Sequence, residues 1–441
     1  MRTKRIMIAV QQKKSDNYTR WRWGFVSSNF CRRDLRSVVG AACAAIVLVT
    51  AGCGGGGGGG GSASPLAISA TSTTQAVPGT AVTAASIGEK IFSDRSLSAS
   101  GQMSCASCHD PATGHASPFS TSVAFGGPNL DQPGTRSPPS LRYLRFNTPF
   151  LFASDGTPTG GFDWDGRAGT LADQARRPFL SANEMANADA AAVVAKVAAA
   201  SYAADFKALF GANIFADPDT AFDRIVFALE RYQRESDEFA PFTSKFDYFT
   251  AGKVAFNDQE SRGLAVFNRG DKGNCAACHP SIKPSNAPGA LFTDFSFDSL
   301  GLPRNMAIPA NADPSYFDMG LCGPTRTDLA NRSDLCGAFK VPSLRNVALR
   351  HRFFHNGQFD SLEQVVRFYV RRDTNPEEWF PADPATGQPD VYNDLPPERR
   401  GNVNVTEVPY NKKAGEQPYL DESEIQDLVA FLKTLTDGYA P

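Results

Sequence analysis

Two short stretches carry the residues best able to do chemistry. SCASCHD sets Cys105, Cys108 and His109 at C-x-x-C-H spacing, and NCAACHP repeats the pattern with Cys275, Cys278 and His279. Paired thiols of this kind hold either zinc or a covalent cofactor. Structural zinc usually joins two C-x-x-C knuckles about 15 to 20 residues apart. Here more than 160 residues separate Cys108 from Cys275, and each pair has its own His directly after the second Cys. C-x-x-C-H is the attachment signature of c-type haem: the thiols add across the vinyl groups and the His becomes the proximal iron ligand. The pattern predicts two covalently attached haems c, with His109 and His279 as proximal ligands. Zinc is the competing reading.

The elements around the motifs repeat as well. GEKIFSDRSLSASGQMSCASCH precedes the first motif and SRGLAVFNRGDKGNCAACH the second. Each reads as a helix with an apolar face (Ile91 and Phe92; Leu264, Val266 and Phe267), a Gly/Ser turn, then the haem motif. PPSLRY at 138–143 answers VPSLRN at 341–346, and DGRAGTLADQARRP at 165–178 answers NGQFDSLEQVVRFY at 356–369. The chain therefore reads as two related halves that meet between residues 245 and 258. Near the C-terminus, DESEIQDLVAFLKTL has helical apolar periodicity, with Asp421 and Glu424 spaced as a capping box.

The repeat allows the sixth iron position of each haem to be compared, and that position separates electron transfer from chemistry. With Thr170-Leu171 aligned to Ser361-Leu362, the residue eight after Thr170 is Pro178 and the residue eight after Ser361 is Tyr369. Proline has no ligand atom, whereas a tyrosine can bind ferric iron through its phenolate. The offset leaves haem 1 open and gives haem 2 a candidate ligand. Periodicity alone reads Tyr369 as an ordinary half-buried helix tyrosine.

The 441 residues include 44 Lys+Arg and 46 Asp+Glu, a net charge of −2, which gives no reason to expect nucleic acid as a partner. An uncharged apolar run, VVGAACAAIVLVT at 38–50, follows Arg32, Arg33 and Arg36. It is short of the roughly 20 residues of a membrane span and reads as an export signal. TAGC places Cys53 where a lipoprotein would be cleaved and lipidated, although Thr50 stands where Leu is usual; a plain signal cleaved near Gly52 is the other reading. The glycine run from Gly54 opens a flexible linker. The expected organisation is a leader at 1–53, a linker at 54–85, a first cytochrome-like domain at 86–250 and a second at 251–441. Cys31, Cys43 and Cys53 belong to the leader. Cys322 and Cys336 are either a disulfide, closing a loop worth about 3 kcal/mol in the chain-entropy model, or buried free thiols.

Four long stretches, SCASCHDPA, FDWDGRAGTLADQARRPFLSANEM, GLAVFNRGDKGNCAACH and FKVPSLRNVALRHRFFHNGQFDSLEQVVRFY, resemble the bacterial di-haem cytochrome c peroxidase/MauG family. The resemblance covers about residues 86 to 438. It implies a mainly α fold, two cytochrome c-like haem domains packed together with long loops and little β. Typical peroxidases of the family have Met at the position of Tyr369, and MauG-type members have Tyr, so the resemblance implies His/Tyr ligation of haem 2. Met306 and Met319 lie in a loop well before that position. The family's active pocket over haem 1 uses a Gln and a Glu that fall at Gln174 and Glu184, and its tryptophan between the haems falls at Trp164.

Members that need reductive activation carry a distal His in a loop matching STSVAFGGPNLDQPGTRSPPS, which has none. Haem 1 is therefore expected to be five-coordinate or water-bound, and His115 to be a loop residue. Two departures stand out. Gly273 occupies the place of the surface tryptophan that MauG uses on its protein partner. The family calcium, bound by an Asn and two carbonyls, would fall to Ser137, Arg350 and Arg352. The implied activity is reduction of hydrogen peroxide to water, with electrons from a small periplasmic donor such as a cytochrome c or cupredoxin and a lipid anchor at Cys53 as the membrane link. The alternatives are MauG-like oxidation of a protein or small molecule, and a di-haem electron carrier.

Overall fold

The computed structural model describes residues 82–441, so the leader, Cys53 and the glycine run lie outside the described residues. The first helix, α1 (Ala84–Ser93), starts inside the stretch expected to be linker. Thr83 and Ser86 close a capping box there, each side chain accepting the other's backbone N–H. A single turn, α2 (Cys105–Cys108), carries the first thiol pair. Then follow α3 (Leu171–Leu180), α4 (Ala190–Ala199), α5 (Ala203–Phe210), α6 (Pro218–Glu235), α7 (Lys245–Thr250), α8 (Asp258–Asn268), α9 (Leu362–Arg371) and α10 (Glu422–Lys433). The capping box expected at Asp421 and Glu424 forms. Among the described residues β structure is confined to three two-stranded antiparallel pairs and isolated bridges, and no helix is long and apolar enough to cross a membrane.

Two large hydrophobic cores organise the chain in parallel fashion. In the first, Ile87, Ile91 and Phe92 of α1 pack with Phe222, Ile225 and Leu229 of α6 and Phe179 of α3. In the second, Val266 and Phe267 of α8 pack with Ile425, Leu428 and Phe431 of α10 and Phe368 of α9. Each fully buried side chain of this size contributes about 1.5–3 kcal/mol. Phe239 lies in the first core and Phe246, on α7, in the second, so α7 packs with the second core although a boundary at 250 would give it to the first.

One glycine sets the helix approach in each core. A Cβ on Gly88 would collide with the Ala228 carbonyl of α6, and a Cβ on Gly263 would collide with the Asp427 carbonyl of α10. Gly88 stands four residues before Phe92 and Gly263 four before Phe267, so the two crossings are built alike.

The repeated P-S-L-R motifs meet each other. Arg142 Nη1 donates to Asn346 Oδ1 at 3.2 Å, and Arg345 Nη1 reaches the Tyr143 hydroxyl at 3.4 Å. Each arginine thus contacts the residue that follows its counterpart. A second tie runs through Arg136, which binds Asp165 (2.7 Å) and, across the junction, Asp318 (2.6 Å). Cys322 and Cys336 form a disulfide with Cα atoms 4.9 Å apart, which settles the choice left open by the sequence.

Candidate active site

The histidine that follows each thiol pair is aimed by backbone carbonyls. His109 Nδ1 lies 3.0 Å from the Pro139 carbonyl and 3.3 Å from that of His115. His279 Nδ1 lies 2.9 Å from the Phe292 carbonyl, and the carbonyl of Pro342, the counterpart of Pro139, also bonds its ring. A carbonyl can only accept, so Nδ1 carries the proton and Nε2 is the free lone-pair nitrogen. Burial pushes the His109 imidazole down to about 4 and lowers His279 as well, so both rings are neutral, as an iron ligand requires. Burial also pushes the four thiols up to about 12. No group of three or more His, Cys, Asp or Glu side chains converges on a common point among the described residues, so the residues do not assemble a zinc knuckle.

The second thiol pair opens onto a mostly apolar cavity of about 230 Å³. Cys275, Cys278, His279, Tyr369 and Tyr410 line it on one side, and Pro139, Arg142, Trp164 and Arg350 line it from the other half or the junction. The strand pair Phe297–Asp298 with Phe339–Lys340 forms another wall. Tyr369 sits on α9 with its ring 5.7 Å from Phe354 and 6.2 Å from Tyr410. Burial first, then the neighbouring Cys278, hold its hydroxyl well above the usual phenol range. A strong Lewis acid is needed to draw out its phenolate.

Trp164 is 7 % exposed and clamped from both ends: its Nε1 donates to the Ser137 carbonyl at 2.7 Å, and its own carbonyl accepts from Lys340 N at 2.8 Å. Lys340 also directs its buried ammonium at the Gly160 carbonyl, and burial lowers it to about 7. Neither Lys340 nor Tyr410 stood out in the sequence, because a lone Lys in a strand and a lone Tyr in a loop carry no spacing signal.

Around the first thiol pair, α3 begins at N-cap Thr170 and α9 at N-cap Ser361, and both helices run ten residues. Pro178 and Tyr369 therefore occupy the same helical position. Gln174 is half-buried one turn before Pro178. Glu184 is not on a helix; it sits in the turn after α3, where its backbone N–H donates to the Ser181 carbonyl and its carbonyl accepts from Gly127. Its side chain faces an open cleft lined by Arg167, Arg177 and Arg326. Gln174 does not line that cleft. Solvent reaches Glu184 through the opening, yet crowding by protein atoms, opposed by a Ser181 hydrogen bond and seconded by Asp163, raises its carboxyl above the usual range. The Glu184 charge adds to burial in raising the Cys105 and Cys108 thiols.

His115 is a loop residue with φ 54° and is fully buried. Its carbonyl helps aim His109, a role that its side-chain identity could not reveal. Met306 is largely exposed, and neither Met306 nor Met319 lines the cavity at Cys275.

Residues 83–255 match the di-haem cytochrome c peroxidase family that includes MauG. Over 383 residues the chain is 36% identical to the methylamine utilization protein MauG of Paracoccus denitrificans, spanning 85% of this chain and 94% of that one. It is 29% identical to a cytochrome c551 peroxidase of Nitrosomonas europaea, over 67% of this chain and 76% of the relative. Among solved structures, the diheme peroxidase BthA of Burkholderia thailandensis superposes with a TM-score of 0.73 at 39% identity, covering 80% of this chain and 86% of BthA. The chain is an oxidoreductase that belongs to the di-haem cytochrome c peroxidase/MauG family, and that family implies two c-type haems.

Proposed function

We propose that the protein reduces hydrogen peroxide to water at the first haem, with electrons arriving through the second from a small periplasmic donor such as a cytochrome c or cupredoxin. One observation carries this reading. Two helices of equal length, started by equivalent caps, present Pro178 in one half and Tyr369 in the other. The halves are built alike, and only one has a side chain able to close its iron.

Cys105, Cys108 and His109 would hold the first haem, which would supply an iron for the reduction of peroxide. The protein's own groups do the rest. Glu184 takes a proton from the oxygen nearest the iron and returns it to the departing oxygen, a role suited to a carboxyl whose affinity for protons is raised. Gln174 orients peroxide or water by hydrogen bonds. Trp164 relays electrons between the halves, its ring held at Nε1 and its backbone held through its carbonyl. Each peroxide takes up two electrons and two protons and leaves as two waters. Tyr369 and His279 would hold the iron of the second haem, and a phenolate there would favour its oxidised forms. A periplasmic location with Cys53 as a lipid anchor fits this function.

Calcium does not fit the positions that the resemblance assigned to it. The Arg352 carbonyl accepts from Arg350 Nε at 3.2 Å, and no carboxylate is among the three donors. No step passes through that ion.

Identity to the MauG protein, higher than to the cytochrome c551 peroxidase, favours a second reading, the peroxide-dependent oxidation of a protein or small molecule. Gly273, where MauG has its surface tryptophan, weighs against a long-range protein target. An EPR spectrum of the fully oxidised holoprotein, before and after one equivalent of peroxide, tests both. One high-spin and one low-spin haem, with the high-spin signal lost on mixing, is expected. Rapid return of the starting spectrum with reduced cytochrome c supports the peroxidase. Return only with another reductant supports the second reading. Two low-spin haems unmoved by peroxide would overturn both.

A further inference from the structure

The junction between the halves contains a half-buried cation that no carboxylate answers. Arg350 follows a helical turn, Val347–Leu349, and its guanidinium spans two backbone segments. Its Nε donates to the Arg352 carbonyl at 3.2 Å, and its Nη2 approaches the Pro138 carbonyl at 3.5 Å. Among the described residues no carboxylate oxygen lies within 4.0 Å of it. Its remaining surface faces the cavity it shares with Trp164 and His279. Burial lowers it only to about 10, so it is charged at neutral pH, and its field reaches His109.

The same place organises the link between haems. Ser137 N donates to the His355 carbonyl, and Ser137 O accepts from Trp164 Nε1, both at 2.7 Å. Segments 137–138, 350–352 and 355 thus converge on the backbone that holds Trp164. Carbonyls drawn together need a positive partner, and one is already there.

We propose that the Arg350 guanidinium takes the place of a divalent cation between the two haem pockets, so that the protein couples its haems through a fixed side-chain charge and binds no calcium there. A metal added beside it would meet an uncompensated like charge and, at Arg352, a carbonyl already engaged. The counter-charge that Arg350 lacks in the protein is left for the carboxylates that a haem carries. This inference rests on the presence of two haems and not on which substrate they oxidise.

The test uses full-length holoprotein. Metal analysis should find calcium well below one equivalent per chain, and the EPR spectrum should be unchanged by a calcium chelator or by millimolar calcium. One bound calcium per chain, or a spin-state change on chelation, overturns the proposal. The Arg350→Gln variant should lower the midpoint potential of haem 1 and make the spectrum respond to added calcium, while Arg350→Lys should restore both to near the parent. A glutamine variant identical to the parent in potential and in calcium response overturns the coupling role. Should that variant not fold, the chelation result on the parent decides alone.

Discussion

The two halves of this molecule are copies in frame and opposites in chemistry. Both place a capped helix, α3 or α9, with a threonine or serine at the cap, and both aim a proximal histidine through carbonyls that include an equivalent proline, Pro139 or Pro342. The difference is concentrated eight residues past each cap, at Pro178 and Tyr369. Their surroundings diverge to match. Tyr369 looks into a mostly apolar cavity, whereas in the first half a cleft lined by arginines opens onto Glu184. Under the proposed function, a few side chains split a duplicated frame into one reactive and one conducting centre, because the iron's sixth ligand decides its use.

The most direct way to break that comparison is to give the first half what the second has. Pro178→Tyr should close haem 1, convert its high-spin EPR signal to low-spin and drop peroxide consumption to background. Proline inside α3 costs helix stability, so the replacement should not harm folding. A variant that stays high-spin and active would show that residue 178 does not face the iron.

Next in size is Glu184→Gln, which keeps the shape and removes the base. Peroxide reaction should slow about 100-fold or more with both haem spectra intact. The sign of the pH effect follows from the raised carboxyl. The ionised form is the base, so kcat/KM should rise with pH through a pKa above the usual value of about 4.3 for Glu. That limb should vanish in the variant. A parent profile that is flat across this range would remove Glu184 from the proton transfer.

Much of this was legible in the chain itself. The thiol pairs, the repeat and the equivalence of Thr170 with Ser361 are local patterns, and local patterns survive without coordinates. The helices α1, α8 and α10 announced themselves by apolar spacing, and α10 also by its cap. What stayed hidden depends on backbone placed by distant packing. The carbonyls of His115 and Phe292 aim the ligands, and any residue type supplies a carbonyl. Tyr410 and Lys340 reach the cavity from a loop and a two-residue strand. Arg350 read as one of two calcium-binding carbonyls, because its side chain could not be placed from sequence. The start of α1 at Ala84 was masked by a composition that also suits a linker.

A smaller effect should come from the link between the halves. Trp164→Phe keeps the apolar bulk but loses the Nε1 bond to Ser137 and the easily oxidised ring. Stopped-flow spectra should show haem 1 reacting with peroxide at the parent rate and haem 2 following more slowly. Equal rates at both haems would mean that electrons cross without Trp164, and the tryptophan would then be part of the packing alone.

The smallest expected effect on chemistry tests whether the duplication extends to packing. Gly88→Ala forces a methyl against the Ala228 carbonyl, and Gly263→Ala does the same at Asp427. Neither glycine touches a haem motif, and overpacking of this kind costs about 1–3 kcal/mol. Denaturation monitored at each haem should show comparable losses, because the two crossings share one geometry. A large loss at Gly263 with none at Gly88 would mean that only the second crossing is rigid. The likeness of the halves would then stop at their motifs, and the first core, which must leave room for peroxide beside Glu184, would be the one able to give way.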